Sequence, residues 1–220
     1  MYNIDNFIFV SKFSHQMHAK VNNEFRYKSE ILYNFTHFNS NFQPDYNRGE
    51  YLLFYGRLSR EKGVETLIDS VKKTNINLKI VGDGPLLENL KLTRTSNIEF
   101  LGFKEGEELN SIIKASSYVV VPSECYENNP MTIVEAFSFG KPVIGANIGG
   151  IPELINATGF LFNHGDTQDL QVTILKAINL NNKDYNQLSI NAYAFAKDNF
   201  NPKIHYKKLI NIYYKTIKLQ

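Results

Sequence analysis

Two glutamates that lie eight residues apart give the clearest indication of chemistry in this 220-residue chain. Glu127 and Glu135 belong to the stretch SECYENNPMTIVEAFSFGKPVIGANIGG, which runs from Ser123 to Gly150. Two carboxylates supply strong hydrogen-bond acceptors, which a hydroxyl-rich ligand such as a sugar or a ribose requires. The stretch therefore suggests a binding site for such a ligand.

A helix is predicted to begin between the two glutamates. Asn129 suits an N-cap, Pro130 suits the first helical position, and Gly140 suits the residue after the helix. Glu127 then precedes a helix N-terminus, whose free N–H groups and partial positive charge favour anionic ligands. Glu135 lies within the helix among apolar residues, where a carboxylate costs free energy unless it is hydrogen-bonded. Glu135 therefore either binds a ligand or faces solvent on the outer side of the helix.

A basic turn, GRLSREKG, follows the apolar run that ends at Gly56. Arg57 and Lys62 are five residues apart and could both reach a diphosphate, the arginine as a bidentate donor and the lysine as a point charge. Their position after a predicted strand favours this role over that of solvated surface cations. Arg60 is predicted to be a solvated neighbour.

The motif E-x7-E, followed by EAFSFGKPVIGANIGGIPEL, resembles the family 4 retaining glycosyltransferases of GT-B fold. The turn GRLSREKG resembles the phosphate-binding turn of that family. The resemblance implies that Glu127 contacts the donor sugar, that Glu135 holds the ribose hydroxyls, and that Arg57 and Lys62 stabilise the leaving diphosphate. Glu127, Arg57 and Lys62 are thus the candidate catalytic residues, and no general base is named.

The resemblance also implies further contacts with the donor. The turn VGDGP would lie against the nucleotide, although by itself it is a weak signal because it lacks the third glycine of the dinucleotide fingerprint. Phe103 would stack near the base, although an aromatic residue after a strand is also typical of a core. The candidate donor-binding residues are Gly56, Arg57, Lys62, Gly82, Gly84, Pro85, Gly102, Phe103, Ser123, Glu127, Asn128, Asn129, Pro130, Met131, Thr132 and Glu135.

Short apolar runs alternate with helical stretches from Tyr51 onward. The runs YLLFYG, LKIVG, IEFLG, YVVVPS, PVIGA and GFLF predict strands, and three helices are predicted over 166–180, 183–198 and 201–218. This alternation predicts an α/β fold, a Rossmann-like parallel sheet with helices on both faces. Right-handed crossovers place the carboxyl ends of all strands at one edge, where ligands bind. The glycine-containing turns are therefore expected to meet there.

The first 40 residues predict a strand from Asn6, a helix over 12–28 and an apolar run over 29–35, followed by a turn-rich linker over 36–49. The resemblance implies that residues 1–40 are the remnant of an N-terminal acceptor domain with an interdomain linker. Residues 41–220 would then be the nucleotide-sugar donor-binding domain, one half of a GT-B fold. The alternative is that the first strand and helix belong to a single domain.

Composition excludes several classes of function. The net charge of +2 gives no indication of nucleic acid, and the single cysteine, Cys125, excludes an internal disulfide and is interpreted as inert packing. Neither a D-x-D pair nor metal-like histidine spacing occurs, so no metal and no cofactor are expected. No apolar run approaches the roughly 18 residues of a membrane span, and no signal peptide opens the chain. A cytoplasmic protein is expected, with a lysine-rich last helix that either packs on the fold or contacts the inner face of the membrane.

The predicted function is the donor-binding half of a retaining glycosyltransferase that transfers a sugar from a nucleotide-sugar to a glycan or lipid-linked acceptor. The abundance of Asn, Lys, Ile, Phe and Tyr suggests a bacterial, AT-rich genome. The resemblance implies a role in bacterial cell-surface polysaccharide synthesis. The absent acceptor domain would reflect a truncated chain, a decayed gene, or a partner chain that supplies it. Two alternatives remain: a non-catalytic nucleotide-sugar-binding subunit, and a sugar-nucleotide epimerase of the same fold, which would change the donor without an acceptor.

Overall fold

The computed structural model describes residues 4–37, 44, 46–93 and 95–218. A small two-stranded parallel sheet precedes the main body of the fold. Strand β1 (Phe7–Phe9) pairs with strand β2 (Ser29–Ile31). Helices α1 (Lys12–Val21) and α2 (Glu24–Tyr27) connect them. The predicted domain boundary at residue 40 and much of the predicted linker lie outside the described residues, so this boundary stays a prediction.

The prediction of one helix over residues 12–28 is wrong. Asn22 has an extended backbone (φ −142°), and its side-chain oxygen accepts a hydrogen bond from the N–H of Glu24 at 2.9 Å. Asparagine side chains compete in this way with helical hydrogen bonding. The helix therefore ends at Val21, and a short second helix begins at Glu24.

The central sheet has six parallel strands, one in each predicted apolar run. Their order across the sheet is β5-β4-β3-β6-β7-β8. All residues of β3, β6 and β7 are buried, which requires cover on both faces of the sheet. The strands are β3 (Leu52–Tyr55), β4 (Leu78–Val81), β5 (Ile98–Gly102), β6 (Tyr118–Val121), β7 (Val143–Ala146) and β8 (Gly159–Phe162).

Helices flank the sheet, and α3 packs against α8 while α6 packs against α9. The three predicted C-terminal helices are confirmed, and the side chain of Asp166 caps the first of them through the N–H groups of Gln168 and Asp169. The helices of the main body are α3 (Val64–Val71), α4 (Leu87–Leu92), α5 (Gly106–Ala115), α6 (Met131–Ser138), α7 (Ile151–Leu154), α8 (Thr167–Ile178), α9 (Asn182–Asn199) and α10 (Pro202–Lys218).

Helix α6 begins one residue later than its predicted caps. Pro130 is the N-cap, with an extended backbone (ψ 127°), and makes no side-chain capping bond. Asn129 does not cap the helix because its side-chain oxygen accepts a hydrogen bond from the N–H of Asn34 at 2.8 Å. Gly140 follows the helix with φ +69°, as predicted.

The last helix returns to the N-terminal sheet. In α10, Lys215 pairs with Glu30 at 2.9 Å, His205 lies 3.0 Å from the carbonyl oxygen of Tyr33, and Ile212 is buried. These contacts agree with the interpretation of α10 as a packed amphipathic helix. Within the described ranges, no helix combines the length and the apolar character that crossing a membrane would demand.

Candidate functional site

The strand order creates a crevice at the carboxyl edge of the sheet between β3 and β6. From β3 the chain moves outward to β4 and β5, and it then returns to β6 on the other side. Such a topological switch point is where open α/β sheets bind ligands. A cavity of about 220 Å³ lies there. Its lining comprises Phe54, Tyr55, Gly56, Arg57, Lys62, Val120, Val121, Pro122, Ser123, Glu127, Pro130, Met131 and Thr132.

An ion pair crosses this crevice. Lys62 Nζ lies 2.5 Å from Glu127 Oε1, and the two side chains are 34% and 16% exposed. Ser123 Oγ donates to the same carboxylate oxygen at 3.1 Å. The two strand-end turns are thus joined across the site, and Lys62 stands where an anionic ligand would compete with Glu127 for it.

The remaining positive potential comes from Arg57 and from helix α6. Arg57 is exposed and borders both this cavity and the next one. The N–H groups of Ile133 and Val134 both bond the carbonyl oxygen of Pro130, at 3.0 and 3.3 Å. These two N–H groups are satisfied within the helix, and the first turn faces the cavity through Pro130, Met131 and Thr132. The partial positive charge of the helix N-terminus favours a phosphate there.

A second, mostly apolar cavity of about 320 Å³ adjoins the first and shares Tyr55, Gly56 and Arg57 with it. Phe103 borders this cavity and is 68% exposed, so its ring is available to a planar ligand. Aromatic rings stack favourably on such ligands. The geometry is thus compatible with the predicted stacking role, which stays a prediction.

Glu135 lines a third cleft, of about 290 Å³, together with residues of α5 and with Thr36 and His37. Its carboxyl group is half-buried, and this burial raises its pKa, while the hydroxyl of Tyr55 acts in the opposite direction. Leu109 borders both this cleft and the Phe103 cavity. The Glu135 cleft and the apolar cavity are therefore neighbours.

Glu135→Gln should raise the melting temperature at pH 7. The folded-state pKa of Glu135 is raised, so the folded protein loses stability as pH rises through that pKa, whereas a glutamine has no such loss. Below the ordinary pKa of the carboxyl group the advantage should disappear. Thermal unfolding between pH 4 and pH 8 would measure it. Glu65→Gln, an exposed site in the first turn of α3, is the control and should give no gain; an equal gain in both variants would contradict the assignment to burial.

The structure distributes the candidate residues unevenly. The first cavity gathers Gly56, Arg57, Lys62, Ser123, Glu127, Pro130, Met131 and Thr132, the second contains Gly82 and Phe103, and the third contains Glu135. Gly84, Pro85, Gly102, Asn128 and Asn129 border none of these three. A side chain at Gly82 or Gly84 would overlap the carbonyl oxygen of Gly56 or Leu58, so these two glycines permit close packing of neighbouring turns.

Several supporting residues were not predicted. The N–H of Gly150 donates to the carbonyl oxygen of Glu127 at 2.6 Å, and the side-chain amide of Asn34 donates to the carbonyl oxygen of Asn129 at 2.9 Å. The carboxylate of Glu153 accepts the N–H of Lys12 at 3.0 Å on each oxygen and so caps the start of α1. In the sequence, only the pair Gly149-Gly150 after a predicted strand indicated a close approach of this kind between loops.

Cys125, close to the ion pair, is not activated as a nucleophile. Burial raises the pKa of its thiol, and the negative charge of Glu127 adds to that effect. Reactive cysteines need the opposite shift. Its interpretation as packing therefore agrees with the electrostatics. Within the described residues there is also no group of three or more His, Cys, Asp or Glu side chains placed to hold a metal ion.

The family model described as "Glycosyl transferases group 1" matches residues 37–195. The match covers most of the chain and contains the whole crevice. This chain belongs to that family of glycosyltransferases. The recognition made from GRLSREKG and E-x7-E is therefore confirmed at the level of the family.

Curated relatives are similar over part of their length. An uncharacterized glycosyltransferase of Methanocaldococcus jannaschii is 37% identical over 174 residues, which cover 76% of this chain and 46% of the relative. The amylovoran biosynthesis glycosyltransferase AmsK of Erwinia amylovora is 28% identical over 178 residues, covering 73% and 44%. The GDP-mannose-dependent alpha-mannosyltransferase of Corynebacterium glutamicum is 35% identical over 149 residues, covering 66% and 35%. The chain thus spans less than half the length of each relative.

Solved structures confirm the fold. The Anabaena protein HepE in complex with UDP and glucose matches with a TM-score of 0.79 and 23% identity, over 94% of this chain and 62% of that one. Sucrose-phosphate synthase of Thermosynechococcus elongatus matches with a TM-score of 0.79 and 21% identity, over 99% and 60%. The predicted Rossmann-like α/β fold, as found in half of a GT-B structure, is confirmed.

Proposed function

We propose that this chain binds a nucleoside-diphosphate sugar at the switch-point crevice and acts as the donor-binding half of a retaining glycosyltransferase. The observation that carries the proposal is the arrangement of Arg57, Lys62 and the α6 N-terminus around one cavity that also contains Glu127. Cations and helix dipole would bind the diphosphate. Glu127 would meet the sugar and Glu135 the ribose, and the apolar cavity beside Phe103 would accept the base.

Transfer would proceed on one face of the sugar. The bond between the anomeric carbon and the diphosphate oxygen breaks, and the acceptor hydroxyl forms the new bond from the same side. The acceptor proton passes to the departing phosphate oxygen, so no protein nucleophile is required. Arg57, Lys62 and the helix dipole stabilise the charge that develops on the diphosphate, a preorganised electrostatic contribution.

The chemistry of the named relatives agrees with this donor class. One relative is described as GDP-mannose-dependent, and a structural neighbour was solved with UDP and glucose. These descriptions name a guanine and a uracil nucleotide, so we propose GDP-sugars and UDP-sugars as the two candidate donors of this chain. The amylovoran relative favours a glycan acceptor, and a lipid-linked acceptor is the other acceptor that we propose.

Thermal unfolding in the presence of UDP, GDP, ADP and their sugar conjugates tests the donor site directly. A ligand at about 100 times its dissociation constant adds roughly 2.7 kcal/mol, which for a domain of this size raises the melting temperature by about 5–10 °C. We expect such a shift with one nucleotide class and a much smaller one in Lys62→Ala. No shift with any nucleotide at millimolar concentration would overturn the proposal.

Binding of the acceptor requires a second structural unit. We propose that this unit is a polypeptide packed against the N-terminal sheet. An isolated two-stranded sheet is marginal in water, and parallel strands are normally covered on both faces. Ile8 and Ile31 on β1 and β2 are 40% and 37% exposed. A partner chain or further residues of the same protein would cover them. Contact of the lysine-bearing α10 with a membrane stays a prediction.

A non-catalytic nucleotide-sugar-binding subunit is the second candidate, and the same exposed strands favour it. Such a subunit would bind the nucleotide as tightly as an enzyme would but leave the donor intact. Incubation of the chain with its preferred nucleotide-sugar, alone and with simple acceptors, separates the two. Release of free nucleoside diphosphate above the background of Lys62→Ala would exclude the non-catalytic role.

A further inference from the structure

Tyr55 occupies the wall between the cavities of the site. It is the last residue of β3, its side chain borders both the ion-pair cavity and the Phe103 cavity, and it is 7% exposed. Neither the E-x7-E motif nor the basic turn contains it. A large polar side chain buried at this point needs a hydrogen-bond partner.

Its hydroxyl group connects the sheet with helix α6. Tyr55 Oη donates to the carbonyl oxygen of Thr132 at 2.8 Å, in the first turn of the helix. Residues three apart lie on the same face of a helix, and the residue three positions after Thr132 is Glu135. Besides burial, the carboxylate of Glu135 is near enough for its charge to raise the pKa of Tyr55, while the single proton of the hydroxyl is donated to the carbonyl oxygen of Thr132.

This arrangement suits the role of Glu135 toward a ribose. A carboxylate that accepts hydrogen bonds from sugar hydroxyls must be ionised and held in one orientation. Burial raises the pKa of Glu135, and the polar hydroxyl of Tyr55 opposes that rise. Burial and the charge of Glu135 raise the pKa of Tyr55 itself well above its ordinary value, so the phenol remains a donor at neutral pH.

We propose that Tyr55 is a positioning residue that orients Glu135 for the ribose hydroxyls and ties its helix to the end of β3. The proposal rests on the proposed nucleotide-sugar site and deepens it by assigning the residue that prepares the ribose contact. Tyr55 itself touches the helix rather than the reacting atoms.

The test compares Tyr55→Phe with Tyr118→Phe. Both tyrosines are buried in strands and donate to a backbone carbonyl, Tyr118 to that of Ala177 at 2.9 Å, away from the crevice. The loss of stability should therefore be similar. Calorimetric affinity for whichever of UDP, GDP or ADP binds wild type most tightly should fall roughly tenfold at pH 7 in Tyr55→Phe and remain unchanged in Tyr118→Phe.

The pH profile distinguishes positioning from general packing. In wild type the affinity should fall on acidification as Glu135 becomes protonated, and in Tyr55→Phe the midpoint of that fall should move to higher pH. In a Glu135→Gln background, Tyr55→Phe should have almost no further effect, because residues acting through one contact are non-additive. Unchanged affinity and midpoint, or fully additive losses, would overturn the proposal.

The outcomes separate this inference from the proposed function. If wild type binds nucleotide and Glu135→Gln weakens it while Tyr55→Phe does not, the inference fails and the function stands. If wild type binds no nucleotide, both fail. If Tyr55→Phe does not fold, a ¹⁹F NMR titration of wild-type protein that carries 3-fluorotyrosine replaces the comparison of variants. One ¹⁹F resonance should follow the Glu135 titration and stop doing so in Glu135→Gln; no such resonance would overturn the inference.

Discussion

Lys62→Ala should lower the affinity for a nucleoside diphosphate by roughly 10- to 100-fold, the range of one hydrogen bond to a charged group. Donor hydrolysis or sugar transfer should fall by roughly 100- to 1,000-fold, as when one preorganised donor is removed from an active site. The ammonium group supplies positive charge at the crevice, and its removal also leaves Glu127 without its 2.5 Å partner. Calorimetry and release of nucleoside diphosphate from the donor measure the two effects.

Arg57→Ala should cause a loss of similar order in both measurements. The loss of nucleotide affinity should be somewhat smaller than in Lys62→Ala, because this change leaves no carboxylate unpaired. Arg60→Ala is the matched control, since Arg60 lies in the same turn and is exposed without bordering the three cavities. Wild-type rates in both Arg57→Ala and Lys62→Ala would refute the assignment of the diphosphate site.

A double variant separates the two consequences of Lys62→Ala. Adding Glu127→Gln removes the unpaired negative charge and should restore part of the nucleotide affinity. Because Glu127 is assigned to the donor sugar, transfer should stay low. Recovery of transfer together with affinity would show that Glu127 serves only to hold Lys62.

Gly63→Ala should destabilise the protein by about 3 kcal/mol or more, through strain and overlap together. Gly63 follows Lys62 with φ +65°, in the left-handed region, and an added side chain would overlap the carbonyl oxygen of Pro122. At about 2–4 °C per kcal/mol for a chain of this size, the melting temperature should fall by at least about 6 °C. The overlap would also push the basic turn away from the loop that carries Glu127, so nucleotide affinity should fall as well.

Gly165→Ala is the control for the backbone term. Gly165 has φ +72°, and an added side chain there would meet nothing within 4 Å. Its substitution should therefore cost only the left-handed strain, about 1–2 kcal/mol, and leave nucleotide affinity unchanged. Equal losses of stability in the two variants would mean that the basic turn and the Pro122 loop are not closely packed.

Local sequence determined the elements of this protein and the family to which it belongs. Each apolar run after Tyr51 became one strand. The uninterrupted runs of β3 and β6 are buried throughout because helices cover both faces of the central strands. The runs of β4 and β5 each carry one charged residue that is not buried, Lys79 and Glu99. The turns that follow β3 and β6 carry their charged residues to the carboxyl edge because parallel strands share one direction. The spacing of Glu127 and Glu135 and the sequence GRLSREKG were therefore sufficient for the family.

Tertiary packing decided how those residues meet. The order of the strands sets β6 beside β3, and only this neighbourhood joins Lys62 to Glu127, 65 positions later in the chain. Packing of the N-terminal segment moved the N-cap of α6 from Asn129 to Pro130, since the N–H of Asn34 binds the Asn129 side chain that would have capped the helix. Neither contact has a local signature, because both depend on long-range packing, whereas propensity and periodicity report only on neighbours within a few residues. For the same reason Tyr55, whose sequence context is that of an ordinary strand, becomes a candidate for function only once α6 lies against it.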